Sequence, residues 1–173
     1  MSRRPLRHQS GFTIVELIIT MCIIAVLSAV ALTSMRDYSR RAQMTEVVMA
    51  GGQCKNVVQE GYPVRDNAPA PGEWGCESTR AVTRYAGAVE TNSDGVIRIT
   101  IQNMDSLLNN RHIFLVPTRS DGLTALTTPN DLGGPVRSWI CGSDWLPARN
   151  ALPANCRLDM TTYSSEEYGA PPP

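Results

Sequence analysis

Glu16 stands near the start of a long apolar run, and from Leu17 to Met35 no residue carries a charge. No Lys, Arg or His lies between His8 and Arg36 to pair with it. A bilayer-spanning helix needs ~20 mostly apolar residues, which this run supplies, and a charge carried into that layer calls for a partner. Cutting the chain after Gly11 would provide one, because Phe12 would gain an α-amino group of opposite sign. The candidate chemistry is thus a cleavage point at Gly11-Phe12, a new amine on Phe12 and the Glu16 carboxylate to receive an amine.

Little else in the chain points to reactions. G-x-S-x-G, H-E-x-x-H, the phosphate-binding G-x-x-x-x-G-K-[ST] and C-x-x-C are all absent. The two histidines, His8 and His112, fit no metal-ligand spacing. No enzyme activity, metal or cofactor is therefore expected. Formal net charge is zero; without Arg3, Arg4 and Arg7 the rest holds 13 basic and 16 acidic residues, or −3. That balance does not suggest an electrostatic nucleic-acid binder, and a nucleic-acid partner stays unassigned. Of five cysteines, Cys22 lies inside the apolar run, where it reads as a small packing residue. Cys54, Cys76, Cys141 and Cys156 lie beyond it and read as two disulfides of an exported domain, with three possible connectivities.

The elements that must carry these residues are legible in outline. Helical signal continues past the apolar run: residues 36–50 lack Pro and Gly, and Tyr38, Ala42, Thr45 and Met49 repeat at helical spacing. Gly51-Gly52 weakens the pattern, which resumes in Cys54, Val57 and Val58 and stops at Gly61. The expectation is one helix from Phe12 to Glu60, roughly 73 Å long at 1.5 Å per residue. A small domain cannot cover such a rod, so lipid or other subunits must bury half of it. Residues 61–83 are a Pro/Gly-rich loop that Cys76 could tie to Cys54 on the helix. Strands are expected at 84–91, 96–101, 112–117 and 136–141, as an antiparallel meander with one apolar face free to pack on the helix. Residues 164–173 read as a flexible tail.

Gly11-Phe12-Thr13-Ile14-Val15-Glu16-Leu17, preceded by a basic head and followed by the apolar helix, resembles the processing site of type IV pilins of the short-leader class. The resemblance continues through Met35-Arg36-Asp37-Tyr38-Ser39-Arg40-Arg41 and, more loosely, to Arg157. It implies an α+β fold in which the outer half of a long N-terminal helix packs on a four-stranded antiparallel sheet. It implies a cleaved leader (1–11), a helix (12–60, of which 12–35 spans the membrane or fills a filament core) and a globular head (61–173). Gly11 and Phe12 would be the sites of cutting and N-methylation by a prepilin peptidase, with Phe12 and Glu16 as assembly residues. The stretch from Trp139-Ile140-Cys141 to Leu152-Pro153-Ala154-Asn155-Cys156 resembles the disulfide-bounded loop of many pilins, implying Cys141–Cys156 and leaving Cys54–Cys76. Thr33 and Ala25 depart from the family, which often has Pro and Gly there; without Pro the helix should be straighter.

The implied function is a structural subunit that polymerises with its own copies into a pilus for adhesion, twitching motility or DNA uptake. Its partners would be the peptidase and the inner-membrane assembly machinery. The precursor would sit in the bacterial inner membrane with its basic leader in the cytoplasm and its C-terminus in the periplasm, and then enter the extracellular pilus. Alternatives are a minor pilin or type II secretion pseudopilin, and a secreted disulfide-containing binding protein cut at Ala29-Val30-Ala31 by an ordinary signal peptidase. A lipoprotein signal at Cys22 is disfavoured by Met21 before it. A plain anchor with Glu16 reaching the interface leaves Gly-Phe-Thr unexplained.

Overall fold

The apolar run becomes a helix. A computed structural model describes residues 11–170, apart from the side chains of Thr33 and Ser34. The basic head at Arg3, Arg4 and Arg7 and the Pro171–Pro173 end lie outside the described residues. The chain divides into two units, Met1–Tyr38 and Ser39–Pro173.

In the first unit, helix α1 (Ile14–Ala50) begins directly after Thr13 and passes through Ala25 and position 33 without a break. It is long and apolar enough to cross a membrane. Its large apolar side chains, from Ile14 to Met35, are exposed. The Thr20 hydroxyl donates to the Leu17 carbonyl at 2.9 Å, which satisfies a polar group that lipid could not.

In the second unit the rest of α1 meets Gly51, a single turn residue, and α2 (Gly52–Gly61) follows. The expected long helix thus runs from Ile14 to Gly61 with a one-residue interruption at Gly51, and packing explains the interruption. A Cβ on Gly51 would lie 2.6 Å from Leu115 Cδ1 and 2.7 Å from Ile99 Cδ1, both in the core, whereas one on Gly52 meets nothing within 4 Å. Gly51 is thus a point of close approach between helix and sheet. Gly51→Ala is expected to destabilise the fold by about 1 kcal/mol, because overpacking (~1–3 kcal/mol) exceeds the gain in helix propensity (~1 kcal/mol). Gly52→Ala should stabilise it by about 0.5 kcal/mol. Thermal unfolding of the two variants checks the opposite signs.

The sheet has five strands, not four, in the order β1-β2-β3-β4-β5. The strands β1 (Ala86–Thr91), β2 (Ile97–Ile101), β3 (His112–Thr118) and β4 (Ser138–Ser143) form the antiparallel meander, and β5 (Leu158–Asp159) adds parallel to β4. On one face Ile97, Ile99, Ile101, Ile113 and Leu115 pack in one core cluster with Met44, Val47 and Cys54 of the helices. The opposite face is covered too: Phe114, Val96 and Val116 cluster with Met160, Tyr163 and Tyr168. The unbroken run Ile113-Phe114-Leu115-Val116, buried throughout, is the signature of a strand covered on both sides.

That second cover corrects the expected flexible tail. Gly169 exchanges backbone hydrogen bonds with Thr91 (3.0 and 3.2 Å), and Tyr168 lies beneath the Arg98 guanidinium at 4.1 Å and against Phe114. Asn92 Nδ2 donates to Glu166 at 2.6 Å, so residues 163–170 form a strap held by backbone, ring and carboxylate.

The Pro/Gly-rich loop before β1 is held from inside. Tyr62 stacks on Trp74 with ring centroids 5.3 Å apart, and the Trp74 indole N–H donates to the Asn92 carbonyl at 3.0 Å. The Glu77 carboxylate accepts from the backbone N–H groups of Trp74, Gly75 and Cys76 at 2.8–2.9 Å and from the Thr91 hydroxyl. Burial pushes the Glu77 carboxyl up, but these donors outweigh it and hold it below its ordinary value. Stability from Glu77 is therefore present above the unfolded-state value and lost as pH falls through the lowered one. Glu77→Gln is expected to cost about 1–2 kcal/mol at pH 7, after allowing for solvent access. It should also flatten the acid limb of a stability–pH curve measured by chemical denaturation.

Candidate assembly site

Residues 11–13 precede the helix in non-helical backbone, and Gly11 has open space around its Cα. The Gly11–Phe12 bond thus lies in exposed chain, with a small residue on its N-terminal side. Phe12 is 84% exposed.

Thr13 and Glu16 are joined. The Thr13 backbone N–H and hydroxyl both donate to Glu16 Oε2, at 3.1 and 2.9 Å, and the Glu16 N–H points back to Thr13 Oγ1 at 3.3 Å. This is a capping box, with Thr13 as the cap and Glu16 three positions on, and it satisfies backbone donors at the helix start. Threonine followed three residues later by glutamate is its sequence signature, so Thr13 was legible as a partner of Glu16, yet sequence reasoning missed it. The box places the carboxylate within the first turn, where the helix dipole favours negative charge. Both donated bonds fall on one oxygen. Among the described residues Oε1 has no hydrogen-bond partner and Glu16 forms no ion pair. Phe12 and Glu16 are not linked to each other within the chain by any hydrogen bond or ion pair among these residues. The arrangement holds an acceptor in place while leaving it free to take a cation from elsewhere.

In the second unit four cysteines stand in two pairs, Cys54–Cys76 with Cα atoms 4.9 Å apart and Cys141–Cys156 at 4.6 Å. The first joins α2 to the loop before β1. The second spans from β4 across a short helix, α3 (Leu146–Ala151), that the sequence reading left as loop. Pro147 opens α3, and Ala148, Ala151, Leu152 and Cys156 belong to the core cluster. Arg149 reaches Asp159 at 2.7 Å and Arg157 donates to the Leu152 carbonyl at 2.8 Å, fixing the outer course of the loop. Cys22 is a free, exposed thiol on α1. Among the described residues no group of three His, Cys, Asp or Glu could hold a metal ion.

Residues 6–32 match the model of the prokaryotic N-terminal methylation motif, and residues 40–157 match that of the pilin (bacterial filament) family. The chain belongs to the pilin family. It is 32% identical over 144 residues to a fimbrial protein of Neisseria meningitidis serogroup A, covering 78% of this chain and 73% of that one. It is 30% identical over 159 residues to the fimbrial protein EcpC of Eikenella corrodens, covering 88% and 94%. To the type IV major pilin protein PilE of Neisseria gonorrhoeae it is 29% identical over 162 residues, covering 86% and 94%. This pilin is a structural subunit of a type IV pilus. Membership of the family with its methylation motif implies self-polymerisation and processing by a prepilin peptidase. An apolar N-terminal helix in such a chain is consistent with a membrane-anchored precursor and an extracellular pilus.

Proposed function

We propose that this pilin is made with residues 1–11 as a leader in the cytoplasm and residues 61–173 on the far side of the inner membrane. A prepilin peptidase cuts after Gly11 and methylates Phe12. The assembly machinery then lifts the apolar half of α1 from the bilayer into a filament core, where Glu16 accepts the Phe12 amine of a neighbouring subunit. The chain carries out no reaction of its own. The observation that supports this most is the capping box, which fixes a carboxylate, one oxygen of which has no hydrogen-bond partner among the described residues, at the head of an exposed apolar helix. In a low-dielectric core an isolated carboxylate is costly and a paired one is not. Methylation leaves the amine able to hold its charge. Because each subunit would offer an amine to one neighbour and a carboxylate to another, the contact does not close and a helical filament results.

The two disulfides belong to the same reading, since they fasten loops in an oxidising compartment. The Cys141–Cys156 loop would lie on the filament surface and shape its adhesive and antigenic character. As the major subunit, this pilin should be the dominant protein of filaments sheared from cells. A trace amount in filaments built from another subunit would instead make it a minor pilin, and confinement to a secretion apparatus a pseudopilin.

A further inference from the structure

The second unit begins at Ser39, three residues (~4.5 Å of helix) after Arg36, the first charge beyond the apolar run. Several loops meet its first turns. Arg40 pairs with Asp105 at 2.7 Å, and Gln43 donates to the Tyr85 hydroxyl at 3.3 Å. Asn103 donates to the Arg84 carbonyl at 2.8 Å, which joins the segment 102–111 to the loop before β1. Arg84 lies over the Tyr85 ring at 5.4 Å, and Arg111 over Trp145 at 4.1 Å. Arg84 and Arg111 are exposed, and on the same segments Leu107 and Leu146 are each 58% exposed. Over residues 80–85, 102–111 and 143–147 the acids are Asp105, already bound to Arg40, and Asp144, against Arg80, Arg84 and Arg111.

We infer that this end of the head is a docking surface for the anionic phospholipid bilayer, used while the precursor waits in the membrane. Trp and Tyr with protruding leucines suit the boundary between headgroup and acyl chain, and arginines above them suit phosphate. Resting its guanidinium on an aromatic face orients each arginine without neutralising it. Ser39 follows Met35, the end of the apolar run, by four residues, so a bilayer holding that run is tethered to this unit by a short stretch of chain. This inference rests on the membrane-anchored precursor proposed above. A head held this way would be kept from its copies until extraction, and its arginines would be released for contacts between subunits.

The test uses the full chain, one copy per lipid nanodisc, in discs of phosphatidylcholine alone or with phosphatidylglycerol. Amide hydrogen exchange is read over residues 103–111 and 144–147. Exchange there should be slower in anionic discs. Arg84→Gln with Arg111→Gln should reduce the docked population about 25-fold, from roughly 5-fold per arginine near an anionic surface. Raised salt should weaken protection in the same way. Unchanged near-ultraviolet circular dichroism shows that the variant is folded. Equal exchange in both lipids would overturn the inference, as would protection that appears only with several copies per disc, which would mark a subunit contact. Failure of the chain to enter discs at all would overturn the membrane-anchored reading along with it.

Discussion

Cells in which Glu16→Ala is the only copy of this pilin are expected to make no detectable filaments while keeping the precursor in the membrane. The substitution removes a polar group from the apolar helix, so insertion is not impaired. It also removes the acceptor proposed for the Phe12 amine, and an ammonium left alone in a low-dielectric core is strongly disfavoured. The capping box offers a rival explanation, since alanine also deletes the helix cap. Two further variants separate the roles. Glutamine can replace glutamate in a capping box, so Glu16→Gln keeps the cap and loses only the charge. Thr13→Val keeps the charge and loses the cap. The pairing account expects Glu16→Gln to fail as Glu16→Ala does, with Thr13→Val still assembling. Normal filaments with Glu16→Gln would assign Glu16 to helix initiation alone. Electron microscopy of sheared filaments, beside membrane fractionation of the precursor, reads both arms.

Removing the C-terminal bridge by Cys141→Ala with Cys156→Ala is expected to destabilise the head by about 3 kcal/mol, lowering its melting temperature by about 10 °C. The half-cystines are 15 residues apart, and Cys156 is buried in the core with Leu152 and the alanines of α3. With only a flexible tail beyond Cys156, this bridge would matter more than the other. The docked strap removes that ground, because Tyr168 and Gly169 fasten the chain again beyond Cys156. Cys54→Ala with Cys76→Ala, across a separation of 22, should therefore cost a similar ~3 kcal/mol. Non-reducing peptide mapping checks the pairing itself. A link from Cys54 or Cys76 to Cys141 or Cys156 would undo this argument.

What could be read in advance follows from how local each signal is. Gly11, Phe12 and Glu16 sit within six residues of one another and are followed by an uninterrupted apolar helix, so their pattern is visible without tertiary context. The alternation in Ile97-Arg98-Ile99-Thr100-Ile101 marks β2 for the same reason. The break at Gly51 is different in kind: it depends on Leu115 and Ile99, which approach it only in the fold. The strap was missed because Met160, Tyr163 and Tyr168 are single apolar residues in polar, irregular chain, each finding the sheet separately and leaving no periodicity. Two residues of β5 are too few to show any pattern. Thr13 is the exception, since its capping signature was present and was passed over in favour of the charge on Glu16.

The most direct measurement is the intact mass and N-terminal residue of this chain recovered from surface filaments. The account predicts a chain running from Phe12 and carrying one added methyl group on its terminal amine. A chain beginning at Leu32 would contradict it, because cutting at Ala29-Val30-Ala31 would remove Glu16 together with the helix meant to form the filament core.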